Sequence, residues 1–158
     1  MPSFRTSRRV VYSPQQMFDL VADVEKYPLF LPLCEALRVR SRTPQDNGKD
    51  ILIADMTVGY KAIRETFTSK VTLDRPALKI AVAYLDGPFR RLDNLWSFRP
   101  DGEGTIVEFF ISYEFKSRVL GALMGAMFDR AFRRFAEAFE RRAYVVYGTA
   151  RRIGAELP

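Results

Sequence analysis

SRVLGALMGAMFDRAFRRFAEAFERRAYVVY, residues 117–147, separates into two faces when it is wound as a helix at about 100° per residue. Phe128, Phe132, Phe135 and Phe139 fall in one narrow arc, while Asp129, Arg130, Arg133, Glu137, Glu140 and Arg141 spread over the other side. The pattern predicts one long C-terminal helix with an aromatic inner stripe. Its first half differs, because from Val119 to Phe128 every residue is apolar or glycine and no solvent face exists until Asp129. That half requires cover from protein, ligand, membrane or partner. Gly121 and Gly125 leave a shallow side open to a close neighbour, although each costs up to about 1 kcal/mol of helix propensity relative to alanine.

A helix with one aromatic face needs a surface to lie on, and residues 36–115 supply it. They carry a period of two, with turn signals near Gln45–Gly48, Arg75-Pro76, Asp86-Gly87-Pro88 and Pro100-Asp101-Gly102, and parse into six strands. In the last, Val107, Phe109, Ile111, Tyr113 and Phe115 point one way and Glu108, Ser112 and Glu114 the other. Leu52, Ala54, Met56, Val58 and Tyr60 share a face, as do Phe67, Ser69, Val71 and Leu73; Leu78, Ile80, Val82 and Tyr84; and Leu92, Asn94, Trp96 and Phe98. Such alternation belongs to an antiparallel sheet with one covered face. A further strand is expected at residues 4–12. Ser13-Pro14 then gives an N-cap and a proline at the first helical position, opening a short helix that is expected to end near Tyr27-Pro28. Leu29–Cys34, broken by Pro32, suits neither helix nor strand; it is tucked in or marks a contact site.

These elements make an α+β domain: a curved antiparallel seven-stranded sheet around a long C-terminal helix, with a hydrophobic cavity where the two separate. The expected division is one domain over 1–148 and a polar tail over 149–158. With 158 residues the chain is long enough to bury a core without staples. It has no histidine and a single Cys34, so an internal disulfide and the common zinc sets are excluded and no metal site is expected. No apolar run is long enough to span a bilayer, and a soluble, cytoplasmic protein is expected. The net charge of +6 is carried mostly by arginine, including Arg5, Arg8, Arg9, Arg38, Arg40, Arg42, Arg151 and Arg152, and it favours anionic partners, phospholipid or RNA alike.

The segment Tyr12–Pro28, YSPQQMFDLVADVEKYP, followed by Phe30-Leu31-Pro32, resembles the opening of the coenzyme Q-binding protein and ribosome-association toxin family, within the START-like (polyketide cyclase/dehydrase) superfamily. Glu65–Ser69, Asp86–Phe89 and Phe115–Phe132, running on through FDRAFRRF (Phe128 to Phe135), agree with it, so the likeness spans roughly residues 3–147. It implies the helix-grip fold and a cavity holding ubiquinone or a similar isoprenoid lipid, in support of respiration. It equally implies a rival, a toxin that blocks association of ribosomal subunits. These motifs are structural rather than chemical and identify the fold better than the task.

Catalysis would need a carboxylate, Tyr, Lys or Cys34 as its acid, base or nucleophile. Glu65 shares strand parity with Phe67 and Ser69, so it faces the apolar side or sits at the strand's end, solvated or paired with an arginine. Nothing beside it forms a nucleophile–base pair. A cyclase-like enzyme is therefore the weaker alternative, and no catalytic residue and no cofactor are assigned. The expected lipid site has Phe30, Leu31, Leu120, Met124, Met127 and Phe128 at a mouth formed by Leu29–Leu33 and Val119–Phe128. Behind them lie Val58, Phe67, Val82, Trp96 and Phe109, with Glu65, Ser69 and Asn94 as the polar candidates for a quinone head group. Arg118 beside this mouth fits peripheral contact with the inner face of a membrane.

Overall fold

The computed structural model describes residues 3–148; the expected polar tail at 149–158 lies outside the described residues. In chain order the elements are β1 (Ser3–Val10), α1 (Pro14–Ala22), a 3-10 turn (Val24–Leu29), β2 (Cys34–Pro44), β3 (Lys49–Tyr60), β4 (Ile63–Asp74), β5 (Lys79–Asp86), β6 (Phe89–Asp101), β7 (Gly104–Phe115), α2 (Arg118–Arg133) and α3 (Phe135–Tyr147). The strands form one antiparallel sheet in the order β1-β7-β6-β5-β4-β3-β2. Each hairpin follows from the alternating pattern, and α1 with its 3-10 turn carries the chain from one sheet edge to the other.

Alternation puts the apolar residues on one face, and register lines them up. Ile111, Asn94, Val82, Val71 and Leu52 are successive partners across five strands, so a single polar side chain interrupts an apolar row. Register shifts in β2, at Thr68/Ser69 between β4 and β5, and near Phe89 between β6 and β7 bend the sheet. Gly87 helps close the β5–β6 turn at φ 141°, where an added Cβ would lie 2.6 Å from the Cβ of Phe67.

Two local expectations are corrected. The first helix stops at Ala22, and Tyr27-Pro28 belongs to the 3-10 turn that follows. At its start Ser13 and Gln16 form a reciprocal capping box, as the serine and proline predict. The long C-terminal helix is two helices. At Arg134 the N–H donates to Ala131 O at 3.0 Å, a tighter i−3 turn, before Ala138 N–H resumes the regular pattern by donating to Arg134 O at 2.8 Å. No proline or glycine stands at the break. Packing accounts for it: the turn lets Phe135 face Phe109 at 5.8 Å while Phe139 settles among Tyr27, Phe30 and Trp96, at centroid distances of 5.3, 5.1 and 5.0 Å.

The all-apolar half of α2 is covered on one side only. Met124 and Phe128 are buried, but Val119 and Leu123 remain 70% and 58% exposed. The far end of α3 is pinned by hydroxyls: Tyr12 donates to Gly148 O at 2.6 Å and Tyr147 to Gln16 O at 3.0 Å. Among the described residues no helix is long and apolar enough to cross a membrane.

Candidate functional site

Between the concave face of the sheet and the two C-terminal helices lies a cavity of about 90 Å³, lined almost wholly by carbon. The sheet contributes Val58, Phe67, Val71, Ile80, Val82, Trp96, Phe109 and Ile111, and the helices contribute Phe128, Phe132, Phe135 and Phe139. Leu31, Pro32 and Leu33 close one side, where Leu33 holds a left-handed backbone at φ 66° and its carbonyl accepts from Gly59 N–H at 3.0 Å. A non-glycine residue held there is locally strained and persists only because its surroundings fix it.

Two polar side chains reach this apolar space. Asn94 Nδ2 donates to Phe110 O at 2.8 Å, which orients the amide and leaves its Oδ1 as an acceptor. Ser69 is 5% exposed, and its Oγ has no hydrogen-bond partner among the described residues. It lies beside the register shift at Thr68/Ser69, where β5 carries Leu85 as the extra residue. Buried hydroxyls are nearly always satisfied, so an orphan one is a signal. Tyr27 is the ionisable group in the wall; burial pushes its phenol far above its ordinary value, and the hydroxyl donates to Val21 O. Cys34 lies nearby outside the lining, and burial pushes its thiol up to about 11, which keeps it protonated at neutral pH.

Of the residues expected at the site, the structure brings Leu31, Val58, Phe67, Ser69, Val82, Asn94, Trp96, Phe109 and Phe128 together around the cavity. Leu120, Met124, Met127, Phe30 and Glu65 stand elsewhere. Phe128 stacks into a cluster with Phe89 and Phe115, at 5.9 and 5.2 Å, and with Tyr113 at 6.2 Å. Those rings fill the end of the core toward the start of α2, so Leu120, Met124 and Met127 do not reach the cavity. The expected mouth at Val119–Phe128 therefore has no counterpart in the lining before Phe128. Phe30 turns outward and packs on Phe139, and Glu65 is half-buried opposite Val58 near the β3–β4 turn, outside the lining. Leu33 falls within the expected Leu29–Leu33 mouth, whereas Tyr27, Leu37, Val71, Ile80, Ile111, Phe132, Phe135 and Phe139 line the cavity without having been named for the site. Strand alternation is the only signal for Leu37, and the two register shifts of β2 obscure it.

Among the described residues no three or more Cys, Asp or Glu side chains are grouped to hold a metal. What the arrangement offers is an apolar pocket with one hydroxyl donor and one amide acceptor in its wall.

Residues 10–140 match the family described as polyketide cyclase / dehydrase and lipid transport. The chain is 34% identical to a ribosome association toxin of Rickettsia prowazekii, covering 90% of this chain and 97% of that one. It is 30% identical to a mitochondrial coenzyme Q-binding protein homologue of Xenopus laevis, covering 92% of this chain and 59% of the relative. In three dimensions it resembles the solution structure of the 18 kDa protein CC1736 from Caulobacter crescentus, with a TM-score of 0.77, 37% identity, and 94% and 100% of the two chains covered. An aromatase/cyclase shares the fold alone, at a TM-score of 0.74 and 16% identity. With its seven-stranded sheet gripping the C-terminal helices, the chain belongs to the START-like polyketide cyclase/dehydrase and lipid transport family, beside the ribosome association toxins and coenzyme Q-binding homologues.

Proposed function

We propose that the chain binds an isoprenoid lipid with a small carbonyl head, of the ubiquinone class, in this cavity, without turning it over and in support of respiratory electron transport. The observation that carries the reading is Ser69. An unpaired buried hydroxyl costs about 1–3 kcal/mol, and a quinone carbonyl accepting from it removes that cost in an otherwise apolar wall. Asn94 Oδ1 can accept from a ring hydroxyl when the quinone is reduced. The name of the Xenopus relative points the same way. Against turnover stand the protonated Cys34 thiol and the high phenol of Tyr27, the ionisable group of the described wall. At about 90 Å³ the cavity is well below the roughly 300–1,000 Å³ of ligand pockets, so the tail enters only as the helices draw back from the sheet, and the break at Arg134 is where α2 can pivot.

The test is extraction and identification of lipid from protein purified from its own host, followed by titration of Ser69→Ala. The alanine variant should bind quinone about 2–12-fold more weakly, one hydrogen bond's worth, with stability unchanged or raised. Equal affinity removes Ser69 from the head-group site.

A second reading is favoured by the relatives named ribosome association toxin, one matched over 97% of its length. Here the chain would bind ribosomes and oppose subunit joining. Sucrose-gradient sedimentation with added protein decides it: loss of joined ribosomes supports this role, and unchanged profiles at low and high salt remove it.

A further inference from the structure

The loop Leu29–Leu33 has two sides of different chemistry. Leu31 faces the apolar cavity, whereas Leu29 and Phe30 face a second hollow, of about 510 Å³, formed with α3; Pro32 borders both. Among the described residues, the α3 side of this hollow carries Arg134, Arg141 and Arg142, and its one carboxylate is Glu137, bonded to Arg141. Three guanidiniums against one carboxylate leave a net charge of +2. Elsewhere many surface arginines face a carboxylate, as in Arg8–Glu140, Arg9–Asp101, Arg40–Asp55 and Arg64–Glu35. Arg134 and Arg142 form no ion pair among the described residues. Arg142 lies over the Phe30 ring at 5.3 Å, and its Nε is buried without a hydrogen-bond partner.

The lip of the hollow is apolar and uncovered: Leu29 is 68% and Val145 69% exposed. A row of guanidiniums beside an apolar lip matches the boundary of a bilayer, where phosphates meet acyl chains. It matches RNA poorly. The aromatic ring at the site, Phe30, is occupied by Arg142 and Phe139 and is not free to stack a base. We propose that this hollow docks the chain on an anionic phospholipid surface, with Arg134, Arg141 and Arg142 on headgroup phosphates and Leu29 and Val145 in the interfacial layer. Docked so, the loop Leu29–Leu33 is the layer of protein between bilayer and cavity. The docking surface stands independently of which ligand the cavity takes.

The experiment is flotation of the full chain with quinone-free vesicles of phosphatidylcholine, alone or mixed with phosphatidylglycerol. Wild type should bind the mixed vesicles and not the neutral ones. Each arginine near an anionic surface is worth about 1 kcal/mol, about fivefold in partitioning, so Arg134→Ala with Arg141→Ala should lose about thirtyfold. The same charge removed from the outer face of the sheet, Arg40→Ala with Lys70→Ala, should cost less than about fivefold, and Leu29→Asp should abolish binding with an unchanged melting temperature. Should the double variant unfold, Arg134→Ala alone decides, since its side chain is exposed. An equal loss in the outer-face control, wild-type binding by Leu29→Asp, or equal binding to neutral vesicles overturns the proposal. So does short single-stranded RNA that displaces the vesicles through the same arginines.

Discussion

Ser69 and Asp55 lie on neighbouring strands but on opposite faces of the sheet, and their hydroxyl and carboxylate differ in one respect that matters, their partners. Ser69 Oγ has none among the described residues; Asp55 has two, accepting from Thr68 Oγ1 at 2.6 Å and from Arg40 Nε at 2.7 Å. The Thr68 hydroxyl, with Arg40 beside it, holds the Asp55 carboxyl below the usual carboxylate range. A lowered folded-state value means that the ionised form stabilises the fold above the ordinary aspartate value, near about 4, and that this contribution disappears as pH falls through the lowered value. Denaturant unfolding of wild type and Asp55→Asn should therefore differ most at neutral pH and converge as pH drops below about 4. A gap that widens in acid contradicts the assignment. The inward parity of Ser69 and Asn94 was legible from alternation alone. Their hydrogen-bond states were not, because those depend on Phe110 O and on a register shift that the strand pattern does not show.

At the level of elements, the aromatic stripe of residues 117–147 was legible, and its division into α2 and α3 was not. Nothing in the local sequence disfavours helix at Arg134; the break follows from what the sheet presents to each ring. Phe139 is fully buried among Tyr27, Phe30 and Trp96, whereas Phe135 is half-buried. Phe139→Ala should cost about 3–5 kcal/mol in urea unfolding, and Phe135→Ala about 1–3 kcal/mol. The reverse order would mean that α3 is rotated from the position described. Four strand-ending turns carried glycine or proline signals, and the β3–β4 turn at Lys61 carried neither, which is why the strand pattern had no punctuation there. Lys61 holds a left-handed backbone at φ 56° without being glycine.

Across the whole molecule, the antiparallel sheet and the helices it grips were legible because period two and period 3.6 act over many residues, so a local error does not change the sum. The cavity was legible in its walls and not in its ends. Which apolar residues meet a void and which meet each other depends on how Phe89, Tyr113, Phe115 and Phe128 fill one end of the core, a three-dimensional matter that leaves no periodic trace. Trp96 is the chain's single tryptophan and lines the cavity, so its fluorescence reports occupancy without any label. Quinone rings quench indole at contact distance. Titration of the full chain with a short-tailed ubiquinone should quench Trp96 saturably at one ligand per chain, with the midpoint moved by Ser69→Ala. Quenching that rises linearly without saturation, or that is the same in Ser69→Ala, would contradict a quinone held in this cavity with its carbonyl on Ser69.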